Sequence, residues 1–381
     1  MGPLTNTLPK PMLPVAGRPL VEHTVEAAVD AGATHVVIVV GYESAAVRDH
    51  FGEESFDVPV SFARQPEQRG TGDAVRSALP ELDPEPFVVL NGDALYDRAS
   101  LRNLYETGPA VGSYRVPNPE AYGVLRTAGD RVTGVVEKPA EPPSDLINTG
   151  AYAFPAAARE WLDVGESERG EIELTAVLQR ACEQATVQPV PFTRWLDVGR
   201  PWELLAANEW KLPELGGRRR GEVSDDAHLD GTVVVAPGAT IRPGVVIEGP
   251  AYIGRDASVG PNAYVRGATM LGPETKVGHS VEVKNSVVMR GTSVGHLSYV
   301  GDSVLGEDVN FGAGTVVANL RHDDSTVRVT VKGDRVDTAR RKFGVVCGPG
   351  AKTGINTSLN AGVTLAEGAR TSPGEAVTRD R

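Results

Sequence analysis

Aliphatic residues recur every six positions through much of the second half of the chain, and this spacing constrains the fold more than any other feature. The unbroken series comprises Val235, Ile241, Ile247, Ile253, Val259, Val265, Leu271, Val277 and Val283. Neither a helix, with a period of about 3.6 residues, nor a flat strand, with a period of about 2, produces such spacing. The pattern predicts a parallel β-helix of hexapeptide repeats with three hexads per coil, in which each aliphatic side chain stacks on the one a full coil away.

The repeat changes character towards the C-terminal end. Its rhythm slips near Met289, recovers at Val294 and Val300, and breaks over 319–343, where arginine and aspartate are abundant. We predict that this segment leaves the coil as an excursion and that a looser repeat resumes over 348–376. An ordinary β-sandwich with chance periodicity is the alternative, and the length of the unbroken series disfavours it.

The first half of the chain alternates amphipathic helices with continuous apolar strands. Residues 20–32 have the pattern of a helix that ends in a glycine, and Val36–Val40 follows as a strand. A second helix is predicted at 73–79 and a second strand at Phe87–Leu90. This alternation predicts an α/β domain built on a parallel sheet.

A change of composition separates the two halves. Around 211–226 the chain turns to proline, glycine and charge, and it includes the triplet Arg218, Arg219 and Arg220. Such a triplet is more typical of a solvated connection than of a binding patch. We therefore predict a first domain over 1–212, a connection over 213–226, and a β-helix domain over 227–381.

Composition excludes several classes of protein. The formal net charge of −12 disfavours general binding to nucleic acid or to an anionic membrane. The two cysteines cannot form a disulfide framework, which favours a reducing compartment. The longest apolar run, near 35–40, is too short to cross a bilayer, and no signal-peptide pattern opens the chain. We expect a cytoplasmic protein with no nucleic-acid or membrane partner.

Two carboxylates and one lysine are the candidate chemical groups of the first half. Asp93 follows an apolar strand and Gly92, at the edge of the sheet where α/β proteins bind ligands, and Asp197 has a similar strand-to-turn setting. Mg²⁺ uses one or two such carboxylates together with substrate phosphates, although a strand-end aspartate can also simply cap a helix. Lys10 lies between two prolines on a stiff segment suited to a phosphate; an ordinary surface lysine is the alternative.

Eight short motifs occur in order along the first half of the chain. They are PLT at 3–5, LPKPMLPV at 8–15, QPEQRGTG at 65–72, NGD at 91–93, YGV at 122–124, VEKP at 136–139, INTG at 147–150 and WLDVG at 195–199. In order and spacing, these motifs resemble the sugar-1-phosphate nucleotidylyltransferases over about 1–210. The resemblance implies transfer of a nucleotidyl group from an NTP to a sugar 1-phosphate, with release of pyrophosphate. It implies Mg²⁺ held by Asp93 and Asp197, and phosphate charge neutralised by Lys10.

The same resemblance assigns further residues to the substrates. It implies that one set frames the nucleobase and that a second set holds the sugar. The first set is Gln65, Gly70 and Thr71, and the second is Gly123, Glu137 and Asn148.

One departure from that family lies at the start of the chain. The family opens with a strand and a phosphate-binding loop of the type G-x-G-T-R-[LM]-x-P-L-T, and the chain begins at Met1 with only the last letters of that motif. We expect Met1 to be an internal methionine of a natural chain that starts further upstream.

The second half carries its own candidate site. Arg266 and Lys284 are eighteen residues apart, so a three-hexad coil stacks them into an anion site, with random exposed charges as the alternative. His296 is suited to accept a proton near neutral pH, although a lone histidine is more often structural.

Three segments of this half resemble the acetyltransferase half of the bifunctional UDP-N-acetylglucosamine pyrophosphorylase/glucosamine-1-phosphate N-acetyltransferases. They are VEVKNS at 281–286, HLSYVGD at 296–302 and NFGAGT at 310–315. The resemblance implies a left-handed β-helix, with His296 as the general base that deprotonates an amino-sugar 1-phosphate. It implies that Asn319 lies near the reacting amine. The implied ligands of the sugar phosphate are Arg266, Lys284, Tyr299 and Asn310.

The resemblance also implies that acetyl-CoA lies near Ala313, between subunits of a homotrimer or of a dimer of trimers. The excursion resembles archaeal relatives, so UTP and dTTP, and glucosamine and galactosamine 1-phosphates, all remain open. One alternative function is a nucleotidyltransferase with the β-helix as scaffold or regulatory domain. The others are an acetyltransferase alone, if the N-terminal loop is lost, and a non-enzymatic binding or assembly subunit.

Overall fold

The computed structural model describes residues 1–41, 45–53, 56–167 and 170–381, whose contacts form two compact units. One unit combines Met1–Pro19 with Val198–Arg381, and the other is Leu20–Asp197. This grouping differs from the division at 212 and 227 that composition predicts, because the first residues and the helix before 212 pack with the C-terminal half.

The helices of the described residues begin and end where local chemistry requires. Helix 20–31 is followed by Gly32 at a φ of 113°, the glycine stop that the sequence predicts. Helix 98–107 is capped by Asp97, which accepts a 2.9 Å hydrogen bond from the Ser100 N–H. The helices are α1 (Leu20–Ala31), α2 (Ala45–Glu53), α3 (Thr71–Ala78), α4 (Arg98–Thr107), α5 (Ala158–Trp161), α6 (Leu174–Gln184) and α7 (Pro201–Lys211), with 3₁₀ turns at Leu4–Asn6, Lys10–Met12, Leu79–Glu81, Pro119–Ala121 and Leu212–Glu214.

The strands before residue 198 form small sheets rather than one parallel sheet. They are β1 (Pro14–Val15), β2 (Arg18–Pro19), β3 (Val36–Val40), β4 (Val60–Arg64), β5 (Phe87–Leu90), β6 (Ala94–Tyr96), β7 (Ala110–Arg115), β8 (Gly123–Ala128), β9 (Arg131–Glu137), β10 (Leu146–Phe154), β11 (Gln188–Pro191) and β12 (Trp195–Asp197). Strands β3 and β5 have the predicted bounds.

The largest sheet of the 20–197 unit is mixed, which corrects the prediction of a parallel one. Its order is β11-β7-β10-β8-β9, and β5 pairs with β10. The pairs β3–β4 and β7–β11 are parallel, whereas β10 runs antiparallel to β5, β7 and β8. Strands β8 and β9 follow one another through a short turn without a crossover helix, so they pair antiparallel, and β10 pairs antiparallel with the other edge of β8.

The second half is the predicted parallel β-solenoid. Its strands are β13 (Arg218–Arg219), β14 (Glu222–Val223), β15 (His228–Asp230), β16 (Val233–Val235), β17 (Thr240–Ile241), β18 (Val246–Glu248), β19 (Ala251–Ile253), β20 (Ser258–Val259), β21 (Tyr264–Arg266), β22 (Thr269–Leu271), β23 (Lys276–Val277), β24 (Glu282–Lys284), β25 (Val287–Val288), β26 (Ser293–Val294), β27 (Tyr299–Gly301), β28 (Val304–Leu305), β29 (Asn310–Phe311), β30 (Val316–Val317), β31 (Arg328–Val331), β32 (Asp334–Asp337), β33 (Val346–Cys347), β34 (Lys352–Thr353), β35 (Ser358–Leu359), β36 (Thr364–Leu365) and β37 (Ala376–Val377).

All of these strands except β31 and β32 stack into three parallel sheets, one on each side of the coil. Within the fully described stretch 170–381 the sheets contain eight, seven and eight strands. The first coil begins at β13, inside the 213–226 segment that composition marks as a connection: Arg218 pairs with Val234 and Glu222 with Thr240. Two of the three linker arginines therefore belong to the solenoid itself.

The core of the solenoid is the aliphatic series that the sequence displays. All nine members, from Val235 to Val283, are at most 2% exposed. Full burial of one such side chain contributes about 1.5–3 kcal/mol. Each also pairs in register with the residue one coil away, as Val265 does with Val283. The stacking of coils therefore explains both the six-residue spacing and the burial.

The two predicted interruptions have distinct structural forms. Arg266 pairs with Lys284 eighteen residues on, but Leu271 pairs with Val288 only seventeen residues on, so the slip is one residue lost at the corner after Lys284. The predicted excursion leaves the coil after β30 and contains the antiparallel hairpin β31–β32.

Candidate functional site

The two candidate metal carboxylates lie at one end of a strand pair in the 20–197 unit. Strands β6 and β12 are antiparallel, with Asp197 opposite Ala94 and therefore beside Asp93. Helix α1 contacts the same strand, since the Thr24 hydroxyl donates a 2.9 Å hydrogen bond to the Ala94 carbonyl. The fold thus brings together two residues that are far apart in sequence.

A buried tyrosine supports this strand pair from within. Tyr96 is 2% exposed, and its hydroxyl accepts a hydrogen bond from the Asn91 N–H at 3.1 Å and donates to the Gly150 carbonyl at 3.2 Å. Burial, and next the Asp93 carboxylate, raise the pKa of Tyr96 well above its usual value. Tyr96 therefore remains neutral, and it fixes the backbone on which Asp93 stands.

The donor set suits Mg²⁺. In the part of the chain that the structure describes, no cluster of three or more histidine, cysteine or acidic side chains could hold a metal by itself. Two adjacent carboxylates are nevertheless what Mg²⁺ takes from a protein when substrate phosphates and water supply its other ligands.

The predicted nucleobase residues lie together in one loop. Gln65 donates hydrogen bonds of 3.0 Å to the Gly70 carbonyl and to Asp73, and the bond to Asp73 lowers the pKa of that carboxyl. The Thr71 hydroxyl accepts a 3.0 Å bond from the Leu174 N–H. Gly70 has a φ of 106°, and a Cβ there would lie 2.5 Å from the Ile172 carbonyl oxygen. This loop is therefore held tightly against the segment before α6.

The three predicted sugar residues also come together. Gly123 on β8 is the register partner of Glu137 on β9, and Ile147, next to Asn148 on β10, pairs with Val124. The Asn148 side chain is 9% exposed, and its oxygen accepts a 2.8 Å bond from the Gly150 N–H. Lys10, by contrast, begins a 3₁₀ turn in the unit that contains the solenoid.

Gly150, within β10, leaves no room for a larger side chain. Its φ is 73°, and a Cβ would lie 2.2 Å from the Asn91 amide nitrogen. Gly150→Ala is expected to lower the thermal stability of the protein, because backbone strain of about 1–3 kcal/mol is added to a collision. Gly165→Ala is the matched control, since its Cβ would meet nothing within 4 Å. Equal melting temperatures for the two variants would contradict this description of the irregular stretch of β10 at Gly150.

In the solenoid, the predicted cation pair is stacked but not free. Arg266 and Lys284 are register partners on β21 and β24. The Arg266 Nε donates a 2.8 Å hydrogen bond to Glu282. Burial lowers the pKa of Arg266, but the hydrogen bond and the charge of Glu282, together with the nearby tyrosines, raise it overall. An anion at Arg266 would therefore compete with Glu282.

Asp302 lies at the centre of a polar cluster that contains the predicted residues Lys284, Tyr299 and Asn319. Its carboxylate, 4% exposed, accepts from the Lys284 ammonium at 2.7 Å and from the Asn319 amide at 2.5 Å. The same Asn319 nitrogen lies 3.1 Å from the Tyr299 hydroxyl. Burial, and next the Asp302 charge, raise the pKa of Tyr299, so its hydroxyl stays protonated. A cation, a carboxylate, an amide and a phenol thus form one polar cluster.

His296 is exposed at the corner between β26 and β27. Strand β27 begins just after this corner, and Asp302 follows its last residue. A Cβ on Gly278, one coil below, would lie 3.3 Å from the His296 Nδ1, so that glycine leaves room for the ring. Ala313 lies one coil above, next to Gly295, at the same corner. Asn310 is exposed on β29, in a different sheet from Lys284.

Both halves of the chain match known protein families. The nucleotidyl transferase family matches residues 1–212, and the family described as the GMPPB C-terminal domain matches 247–347. A bifunctional sugar-1-phosphate nucleotidylyltransferase/acetyltransferase of Sulfurisphaera tokodaii is 37% identical over 99% of this chain and 94% of its own length. The chain belongs to this bifunctional family.

Other relatives of the bifunctional family agree. A bifunctional protein GlmU of Methanococcus vannielii is 39% identical, and one of Methanocaldococcus jannaschii is 38% identical, each over 95% of this chain and 88% of the relative. A crystal structure of a UDP-glucose pyrophosphorylase complexed with UDP-glucose has 25% identity and a TM-score of 0.49, covering 54% of this chain and 91% of that one. The family predicted from the motifs is confirmed, whereas the roles of single residues remain predictions.

Two further observations complete the description of this bifunctional chain. None of the described helices is long and apolar enough to span a bilayer. Glu282 and Asp302 lie within the motifs VEVKNS and HLSYVGD, but the motifs gave neither residue a role. Their signal was present: Glu282 is next but one to Lys284, and Asp302 directly follows Gly301, the register partner of Lys284 on the next coil.

Proposed function

We propose that this chain makes nucleotide-activated N-acetylamino sugars at two separate sites. One site transfers a nucleotidyl group from UTP or dTTP to a sugar 1-phosphate and releases pyrophosphate. The other transfers acetyl from acetyl-CoA to an amino-sugar 1-phosphate. The observation that carries the second activity is the cluster of Lys284, Tyr299 and Asn319 around Asp302, in a chain whose relatives are named for both activities.

For nucleotidyl transfer, the chain's own residues bind and align two phosphate-bearing substrates. An oxygen of the sugar 1-phosphate attacks the α-phosphorus of the NTP in line, and pyrophosphate leaves. Asp93 and Asp197 would hold Mg²⁺, which supplies neutralisation of phosphate charge when bound. Lys10 adds positive charge. Gln65, Gly70 and Thr71 frame the base.

The sugar of the first reaction is held by a second group of residues on neighbouring strands. Gly123, Glu137 and Asn148 converge from β8, β9 and β10. Glycine at 123 leaves space at this point, because a Cβ there would lie 3.0 Å from a Glu137 carboxylate oxygen. We assign sugar hydroxyl recognition to the Glu137 carboxylate and the Asn148 amide, the groups that can accept from and donate to hydroxyls.

For acetyl transfer, His296 accepts a proton from the amine as the amine nitrogen attacks the thioester carbonyl carbon. The carbon–sulfur bond then breaks, and CoA leaves without a covalent acyl-enzyme. Arg266, Lys284, Tyr299 and Asn310 bind the sugar phosphate, and Asn319 orients the amine. Acetyl-CoA lies along the coils near Ala313.

We further propose that the solenoids associate as a homotrimer, alone or as a dimer of trimers, with acetyl-CoA between subunits. In the described residues, the exposed large apolar side chains include Leu297 at 66%, Ile355 at 55% and Val316 at 47%. Leu297 and Ile355 lie at the same corner of the coil as His296 and Ala313. A neighbouring subunit would cover these side chains and bring its own cluster to this corner. The two cysteines are buried and unbridged, which fits a reducing, cytoplasmic location.

Ile355→Asp is expected to convert the trimer to monomers and to lower acetyl transfer at least about tenfold, because a charge at the centre of an interface leaves a desolvated carboxylate. Light scattering coupled to size exclusion measures the first effect, and CoA release measures the second. Arg255→Asp, an equally exposed change at a different corner, is the control. A trimer that persists in Ile355→Asp would contradict the proposed interface.

The proposed function as a whole is tested by following CoA release and pyrophosphate release in one preparation. Glucosamine 1-phosphate and galactosamine 1-phosphate are compared as acetyl acceptors, and UTP and dTTP as nucleotidyl donors. Acetyl transfer to either sugar, and pyrophosphate release from either nucleotide, are expected. Failure of acetyl transfer by a folded trimer would leave the solenoid as a scaffold.

A further inference from the structure

Helix α7 places a carboxylate against the amino-sugar cluster, although the helix lies within the nucleotidyl transferase match. Glu209, near the end of α7, is 33% exposed at its side chain. Its Oε1 accepts a 2.8 Å hydrogen bond from the Asn285 amide nitrogen. Glu209 lies outside the motifs quoted above, and Asn285 lies within VEVKNS without an assigned role.

Asn285 links Glu209 to Asp302 by hydrogen bonds. The Asn285 amide nitrogen that binds Glu209 also donates to Asp302 Oδ1 at 3.0 Å. The other Asp302 oxygen accepts from Lys284 and Asn319. Because Asn285 sits at a left-handed corner, with a φ of 46°, its side chain bridges helix and coil instead of pointing along a strand. Glu209 is thus connected to the Lys284 ammonium through three successive hydrogen bonds.

Glu209 also holds the far end of the excursion. Both terminal nitrogens of Arg340 donate to its carboxylate, one of them at 3.1 Å. The Arg340 Nε is buried, and within the described residues it has no hydrogen-bond partner. The guanidinium, 22% exposed, therefore depends on Glu209 for compensation of its charge. Asn319 begins this same excursion, so Glu209 fixes both of its ends, one directly and one through Asn285 and Asp302.

We propose that Glu209 is a positioning residue for acetyl transfer. It fixes Asn285 and thereby the Asp302 carboxylate, which orients Lys284 towards the sugar phosphate and Asn319 towards the amine. Through Arg340 it also clamps the 319–343 excursion beside them. This proposal rests on the proposed acetyltransferase function.

The test compares Glu209→Ala and Glu209→Gln with the parent chain in steady-state acetyl transfer. Glu209→Ala is expected to raise the KM for the amino-sugar 1-phosphate about tenfold and to leave the KM for acetyl-CoA unchanged. The reason is that the substitution frees Lys284, which binds the sugar phosphate, but does not disturb the coil corner at Ala313. Glu209→Gln keeps an acceptor for Asn285 and is expected to recover most of that loss. An unaltered KM for the amino sugar in Glu209→Ala, or an equal loss with both substrates, would overturn the proposal.

Glu214→Ala is the matched control. Glu214 follows the same helix and accepts hydrogen bonds from Trp210 at 2.7 Å and Lys211 at 2.9 Å. This variant therefore removes a carboxylate with two partners near Glu209 while leaving the solenoid side chains untouched. It is expected to retain the parent KM values.

Hydrogen exchange separates failure of this proposal from failure of the proposed function. In Glu209→Ala, backbone exchange over 281–286 and 319–343 is expected to accelerate, and in Glu214→Ala it is expected to match the parent. A parent chain without acetyl transfer would refute the proposed function, and exchange would still report on Glu209. Identical exchange in all three proteins would overturn the positioning role.

Discussion

Replacing His296 by alanine is expected to lower acetyl transfer about 100- to 10,000-fold, the range that a general base contributes. The amine of an amino-sugar 1-phosphate must lose a proton as it attacks the thioester, and His296 is the group we assign to accept it. Because the side chain is exposed at a coil corner, its truncation removes little packing, and the solenoid is expected to remain folded. CoA release with glucosamine and galactosamine 1-phosphates measures the loss.

His279→Ala is the control for that experiment. His279 occupies the same corner one coil below, where its carbonyl accepts a 3.0 Å hydrogen bond from the Leu297 N–H. The two variants thus remove the same side chain from neighbouring positions of one repeat. Near-parental acetyl transfer is expected for His279→Ala, and comparable losses in both variants would contradict the role of His296 as the base. Pyrophosphate release should be unchanged in both.

Asp93→Asn is expected to lower pyrophosphate release about 100-fold or more, with acetyl transfer unchanged. The substitution keeps the size of the side chain and removes one of the two negative charges that would hold Mg²⁺. The loss should persist at high Mg²⁺ if Asp93 also positions the ion relative to the phosphates. The measurement is the rate of pyrophosphate release from UTP and dTTP over a range of Mg²⁺ concentrations.

Asp97→Asn is the matched control, four residues further along. Asp97 caps α4 through Ser100, and asparagine caps a helix about as well as aspartate. The same change of charge at this position should leave pyrophosphate release close to the parent rate. If Asp93→Asn were as active as Asp97→Asn, the carboxylate pair of β6 and β12 would not be the metal site.

The solenoid could be predicted almost completely from sequence, because one physical requirement repeats along it. Each coil must bury an aliphatic side chain at a fixed position, so the register of the sheets is visible in the spacing from Val235 to Val283. The start of the solenoid could not be predicted, because β13 and β14 carry Arg218, Arg219, Glu222 and Val223 and so lack the full aliphatic pattern.

The first half was harder to predict. The alternation of helices and apolar strands indicates an α/β domain, yet the same signal does not distinguish parallel from antiparallel pairing of β8, β9 and β10. Asp93 and Asp197 could be selected from their strand ends and from the resemblance. Their proximity depends on the β6–β12 pairing, which neither local segment encodes by itself.

The electrostatic partners of the acetyl-transfer site lay beyond sequence reasoning. The eighteen-residue spacing predicts that Arg266 stacks on Lys284, but Glu282 lies two residues from Lys284 on the same face of its strand and binds Arg266. The contact of Glu209 with Asn285 joins residues 76 positions apart, through a helix that no repeat places. Periodicity predicts the contacts within the repeat, but it does not predict which other elements pack against the repeat.

The central claim is that one chain performs both reactions, and one measurement tests it directly. The chain is incubated with UTP or dTTP, Mg²⁺, acetyl-CoA and glucosamine or galactosamine 1-phosphate, and the products are identified by mass spectrometry. The account predicts a nucleotide-activated N-acetylamino sugar with the parent chain. It predicts at least about 100-fold less product with His296→Ala or Asp93→Asn alone, and recovery of the product when these two variants are mixed. Absence of the acetylated nucleotide sugar with a folded parent chain would contradict the account.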